Sequence, residues 1–254
     1  MSNVNSVNAK KFNVRKMAIA GVLGGISAIL GLTPLGFIPI GPTKATIMHI
    51  PVIIGAIMAG PIVGGLVGLI FGLFSIFQAL MNPTPISFMF LNPLISVVPR
   101  VLIGIVSYYV YVLFKKMGDK SSKIVLNVIW LGILLYLVQA TIKGFNSDIK
   151  LWLKLFNVVL IGLVVSMGYY SHKNLKESPV ELVASAAAGT LTNTVGVLSG
   201  MYFIYGEQYA LKLGLDPGTA GKAILGVGIT NGIPEIIIAM IIVTSVVASL
   251  KKSA

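Results

Sequence analysis

Apolar residues fill the chain in blocks of about 15–25 positions, separated by short polar or Pro/Gly-rich breaks. A helix needs ~20 residues, at ~1.5 Å each, to cross a ~30 Å hydrocarbon core. The pattern therefore predicts eight membrane-crossing helices, at about 17–32, 45–59, 61–80, 92–114, 124–142, 152–170, 180–204 and 228–250. Eight crossings return the C-terminus to the side of the N-terminus. The second block is short and meets the third at Gly60-Pro61, which predicts a tight turn near one membrane face. The connections on one side are short and basic. Those on the other are longer and apolar or Pro-rich, at Thr33–Lys44, Met81–Leu91 and Tyr205–Val227, and are expected to cap an outward-facing cavity. Lys10, Lys11, Arg15 and Lys16 before the first block imitate a signal peptide, but no cleavage site follows, so a retained first span is expected.

Composition agrees with lipid as the solvent. Hydrophobic residues make up 56% of the 254 and charged ones 10%, too few to cover a soluble surface. The reading is an all-α, polytopic bundle forming a single transmembrane domain over 1–254, multi-pass in the cell membrane. The formal charge of +12 sits mainly at the ends of apolar blocks, where it reports topology rather than nucleic acid. With the N-terminus inside, the inner segments hold twelve Lys and Arg and the outer ones six, favouring N-in and C-in. The absence of cysteine excludes disulfides, thiolate metal sites and Cys nucleophiles.

Two charges remain inside predicted spans, Arg100 and Glu235. Each costs several kcal/mol at the bilayer centre, roughly 2.5–3.5 for Arg, unless it meets a partner or a wet cavity. Arg100 lies eight residues past the outer start of its span and Glu235 seven past its own. At ~1.5 Å per residue both sit roughly 10–12 Å below the outer face. They are either a structural ion pair or part of the wall of an outward pocket, where the planar Arg fork would suit a carboxylate or phosphate.

Polar residues in the outer halves of spans are Gln78, Asn92, Asn193, Thr194 and Asn231, each either an interhelical hydrogen bond or a ligand contact. His49 opens the second span as an interfacial anchor or a pocket residue, and Lys44 ends the first outer loop. Small residues recur at intervals of four: Ala20, Gly24 and Ala28 on the first span, with Gly21 and Gly25 beside them, and Gly60, Gly64, Gly68 and Gly72 on the third. Such rows mark close helix contact, within the chain or with another subunit. No catalytic constellation appears, and no cofactor or metal is expected, because the two histidines fall on opposite sides. The segment Gly214 to Ala223 fails as a phosphate-binding loop, with Asp216 where Gly is required and Ala223 where Ser or Thr is. If ATP drives anything here, another chain hydrolyses it.

Three stretches carry a family resemblance: His49 through Pro61, Asn92 through Arg100, and Gly189-Thr-Leu-Thr-Asn-Thr194 with Asn231-Gly-Ile-Pro-Glu235. In order and spacing they resemble the substrate-binding S components of energy-coupling factor (ECF) vitamin transporters. The resemblance implies a six-helix core, here 15–114 and 180–250, that captures a water-soluble vitamin or precursor from outside. It also implies a lid, matching Thr33–Lys44, and partners: a transmembrane coupling subunit, met by small residues matching Ala20, Gly24 and Ala28, and two cytosolic ATPases. The two spans within 121–176 have no counterpart in a six-helix core and are expected to be an inserted hairpin.

The expected site therefore comprises Arg100, Glu235, Asn193, Asn231, Thr194, Lys44 and His49. A small anionic vitamin such as pantothenate is compatible with a buried Arg. The alternative is a self-sufficient ion- or proton-coupled carrier, for which Glu235 alone is a thin relay and no internal repeat speaks. A membrane enzyme ranks third.

Overall fold

The computed structural model describes residues 14–40, 43–145, 158–159, 161–162, 165–166 and 180–252. Helix α1 (Val14–Leu32) is followed by a 3-10 turn (Pro34–Gly36) and two strands, β1 (Phe37–Ile40) and β2 (Thr43–Thr46). Then come α2 (Ile50–Ala59), α3 (Pro61–Met81), a 3-10 turn (Ser87–Leu91), the one-turn α4 (Pro93–Ser96) and α5 (Val98–Met117). The remainder is α6 (Asp119–Phe145), α7 (Val180–Lys212), a 3-10 turn (Pro217–Thr219) and α8 (Ala220–Lys252). Among the described residues five helical segments are long and apolar enough to cross a membrane: Val14–Leu32, Pro61–Met81, Pro93–Met117, Val180–Lys212 and Pro217–Lys251. The protein is a polytopic helical membrane protein.

Helix α2 is the centre of the bundle. Its ten residues reach only ~15 Å, and Val52, Ile53 and Ala56 are fully enclosed by α1, α3, α5, α7 and α8. A helix apolar on every side belongs in such a position. It ends at Gly60, whose φ of 98° suits glycine, and Pro61 immediately starts α3, giving the tight turn that the sequence predicts.

Glycine sets the helix spacing. A Cβ on Gly64 would stand 2.9 Å from the Gly104 Cα, and one on Gly68 would stand 2.1 Å from the Arg100 carbonyl oxygen. The third-span row thus packs within the chain, drawing α3 onto α5. Helix α7 then packs on α5, and α8 on α7.

Three expectations need correction. The span expected at 45–59 begins only at Ile50, because Thr43–Thr46 is strand; β1 and β2 pair antiparallel with Phe37 opposite Thr46, the one non-helical ladder among the described residues. The span expected at 92–114 is broken at Val97, because Pro93 and Pro99 each lack an N–H and favour first-turn positions. The loop expected at Tyr205–Val227 is mostly helix: nothing between Tyr205 and Lys212 breaks α7, and the turn falls at Gly214 (φ 69°) and Asp216-Pro217. Of the inserted hairpin, α6 covers the first helix, resting on the bundle through Leu137; most of 152–170 lies outside the described residues.

Candidate functional site

The site grows from the broken helix. In an unbroken α-helix the N–H of residue 99 would bond the carbonyl of Ile95, but residue 99 is proline. That carbonyl is left open, and the Arg100 guanidinium donates Nη1 to it. The rest of the guanidinium lies between aromatic faces, 5.4 Å from the Phe71 ring centroid and 5.8 Å from that of Phe90. Arg100 is 6% exposed and its Nε has no hydrogen-bond partner. A cation buried at this depth normally has a counter-charge.

Glu235, also 6% exposed, is the natural candidate, yet its described hydrogen bonds go elsewhere. Its Oε1 accepts from the Thr46 backbone N–H at 2.7 Å and from the Thr46 hydroxyl at 3.1 Å. Arg100 lies within electrostatic reach of both Glu235 and His49, while the hydrogen bonds of the carboxylate go to Thr46 and Thr194. The β-hairpin is thereby tied to α8. A second tie, from Ile47 N–H to the Gly36 carbonyl at 3.1 Å, closes its base.

His49 is fully buried before α2, with Nε2 3.0 Å from the Thr190 hydroxyl. Thr190 has one hydrogen and directs it to the Ala186 carbonyl at 2.9 Å, so His49 Nε2–H is the donor. The His49 Nδ1 lone pair then points into the site without a partner. On α7, Asn193 and Thr194 stand one turn beyond Thr190. Asn193 Oδ1 and, on α8, Asn231 Oδ1 are likewise buried without partners, while Thr194 lies against the Glu235 carboxylate. Gly232, beside Asn231, packs on Thr194, and Gly196 on Pro99, so the walls from α5, α7 and α8 meet here.

Of the seven expected site residues, Arg100 lies near Glu235 and His49, Thr194 lies against Glu235, and Asn193 and Asn231 are buried on the adjoining helices α7 and α8. Lys44 enters through its backbone in β2, opposite Pro39; its side chain is outside the described residues. Two other polar residues hold structure instead: Gln78 donates to the Gly31 carbonyl at 2.8 Å, and Asn92 caps α4 by accepting from Leu94 N–H at 3.0 Å. Sequence reasoning missed Thr46, Thr190, Phe71 and Phe90. Pro99 directly before Arg100 was the available signal for the carbonyl contact.

The small-residue row of α1 is divided. Ala20 and Gly24 turn inward, and a Cβ on Gly24 would strike Ile70 of α3 at 2.5 Å. Of Ala20, Gly24 and Ala28, only Ala28 is partly open, and it shares the outer face with Gly21 and Gly25, which have free space around them. Among the described residues no three acidic or histidine side chains could hold a metal ion.

Compared with known proteins, the chain matches the family described as ECF transporter, substrate-specific component, over residues 15–157 and 129–247. It is 27% identical over 260 residues to the pantothenic acid transporter PanT of Lactococcus lactis, covering 96% of this chain and 97% of that one. It is 38% identical over 78 residues to the pantothenate transporter PanT of Leuconostoc mesenteroides, covering 30% of this chain and 38% of that one.

Proposed function

The chain belongs to the family of ECF transporter substrate-specific components, and from that premise we propose that it captures pantothenate at the outer membrane face for ATP-driven import. The family is one of transporter components, not of enzymes. The observation that carries the substrate is Arg100: a buried cation in a membrane-spanning helix, with Glu235 engaged by the lid and Nε unspent. A carboxylate on the ligand supplies an acceptor for the guanidinium donors that Glu235 does not bond. Two relatives named for pantothenate, one similar along nearly its whole length, support the same ligand.

In this reading the ligand lies among Arg100, His49, Asn193, Thr194 and Asn231, beneath the hairpin that carries Lys44 and is tied down by Glu235. The core is 15–114 with 180–250, and 121–176 is an inserted hairpin at its edge, eight crossings in one domain. Both termini face the cytoplasm of a cell membrane. Basic groups gathered at one end of the bundle support that orientation. Lys16 shares a cleft with Gly60, Pro61 and Tyr108, and Lys251 donates to the Tyr111 hydroxyl at 2.8 Å near Lys115.

The partners are a transmembrane coupling subunit and two cytosolic ATPases. The open row Gly21, Gly25 and Ala28 on α1 is the face offered to the coupling subunit. Transport in proteoliposomes tests the division of labour. With a coupling subunit, ATPases and internal ATP, pantothenate accumulates; the chain alone under an ion or proton gradient accumulates none. Gradient-driven uptake by the chain alone would replace this reading with a secondary carrier.

A further inference from the structure

The site holds an unbalanced set of hydrogen-bonding atoms. His49 Nδ1, Asn193 Oδ1 and Asn231 Oδ1 are acceptors, all buried and all without partners, while Arg100 Nε is the matching orphan on the donor side. His49 Nδ1 is an acceptor by argument, since Nε2 carries the hydrogen given to Thr190. Thr194 Oγ1 serves either way. A buried polar atom left unpaired costs about 1–3 kcal/mol, and native structures hold only a few per ~100 residues. Arg100 lies within electrostatic reach of His49, His49 is held against Thr190 one turn before Asn193, and Gly232 beside Asn231 packs on Thr194, so these atoms border one another along α5, α7 and α8.

We infer that the site selects for the donors of its substrate as well as for its charge: His49, Asn193 and Asn231 accept hydrogen bonds from hydroxyl and amide N–H groups, while Arg100 takes the carboxylate. The substrate class is a carboxylate bearing about three such donors. This inference rests on the reading above. Pantothenate fits the pattern, with one carboxylate, one amide N–H and two hydroxyls. A carboxylate of similar shape without the hydroxyls leaves the acceptors desolvated and unpaired. Sites built to bond a hydroxyl reject such analogues far more strongly than apolar pockets reject a missing methylene.

The test titrates the purified full chain with three probes: pantothenate, its analogue with both hydroxyls replaced by hydrogen, and pantothenol, in which the carboxylate is an alcohol. Pantothenate binding is the control for the functional reading; without it that reading fails before this one is reached. Given that control, the dideoxy analogue is expected to bind about 100-fold or more weakly. Pantothenate loses affinity in Asn193→Ala and Asn231→Ala, and in at least one of the two the dideoxy analogue changes little, because the amide N–H that it keeps engages only one acceptor. Pantothenol keeps the hydroxyl contacts, so its affinity falls in both Asn variants but is little changed in Arg100→Gln. Equal binding of pantothenate and the dideoxy analogue to the wild-type protein overturns the inference without requiring any variant to fold. So does an equal loss of both ligands in both folded Asn variants, which marks those side chains as structural.

Discussion

Replacing Arg100 with alanine is expected to weaken pantothenate binding by about 100-fold or more, because truncating one partner of a buried charge pair costs ~2–5 kcal/mol. Glu235 lies within electrostatic reach of Arg100, but it leaves guanidinium donors open to a ligand carboxylate. Glu235 instead accepts two hydrogen bonds from Thr46, and the guanidinium keeps its Nε unspent. Arg100 also bonds the Ile95 carbonyl and rests on Phe71 and Phe90, so alanine alone would confound binding with stability. Arg100→Lys keeps the charge but loses the planar fork and is expected to fall between wild type and Arg100→Gln. Calorimetric titration beside a thermal melt separates the effects. A folded Arg100→Gln protein with unchanged affinity would remove the carboxylate contact from the account.

Gly104→Val is expected to cost about 3 kcal/mol or more and to leave little monodisperse protein after extraction. A Cβ at this position would lie 2.2 Å from the carbonyl carbon of Gly64 and 2.6 Å from the Gly65 amide nitrogen. Those atoms are backbone, so no rotamer relieves the clash and α3 must move away from α5. Arg100 lies one turn before Gly104 on α5, so any protein that survives also displaces the guanidinium. Gly65→Ala is the control, because its Cβ would meet only Val101 Cγ1 at 3.8 Å, an ordinary contact. Size-exclusion profiles after a temperature ramp report both. Equal profiles for Gly104→Val and wild type would mean that the α3–α5 spacing is not set by these glycines.

The long apolar helices were legible because their lengths match the bilayer, and Gly60-Pro61 because that pair has few other conformations available. Breaks within spans were harder to read. Hydropathy is blind to the interruption at Val97, since Pro93 and Pro99 leave the apolar run intact while removing its hydrogen bonds. Between Tyr205 and Val227 a loop is expected from the length that suffices to cross, whereas α7 and α8, each 33 residues, continue past the ~20 needed. The charges at 100 and 235 announced themselves by their cost in lipid. Their partners did not, because Thr46 and Thr190 are ordinary residues whose value comes only from standing opposite Glu235 and His49. The α1 row showed the limit of spacing arguments, since Ala20 and Gly24 face α3 while Gly21 and Gly25, one position on, face outward.

The most direct test of the central claim is calorimetric titration of the purified chain, free of coupling subunit and ATPases, with pantothenate. Saturable binding of one pantothenate per chain, lost in Arg100→Gln and weak for pantothenol, is the predicted result. Absence of pantothenate binding by the folded chain, or equal affinity for pantothenate and pantothenol, would contradict it.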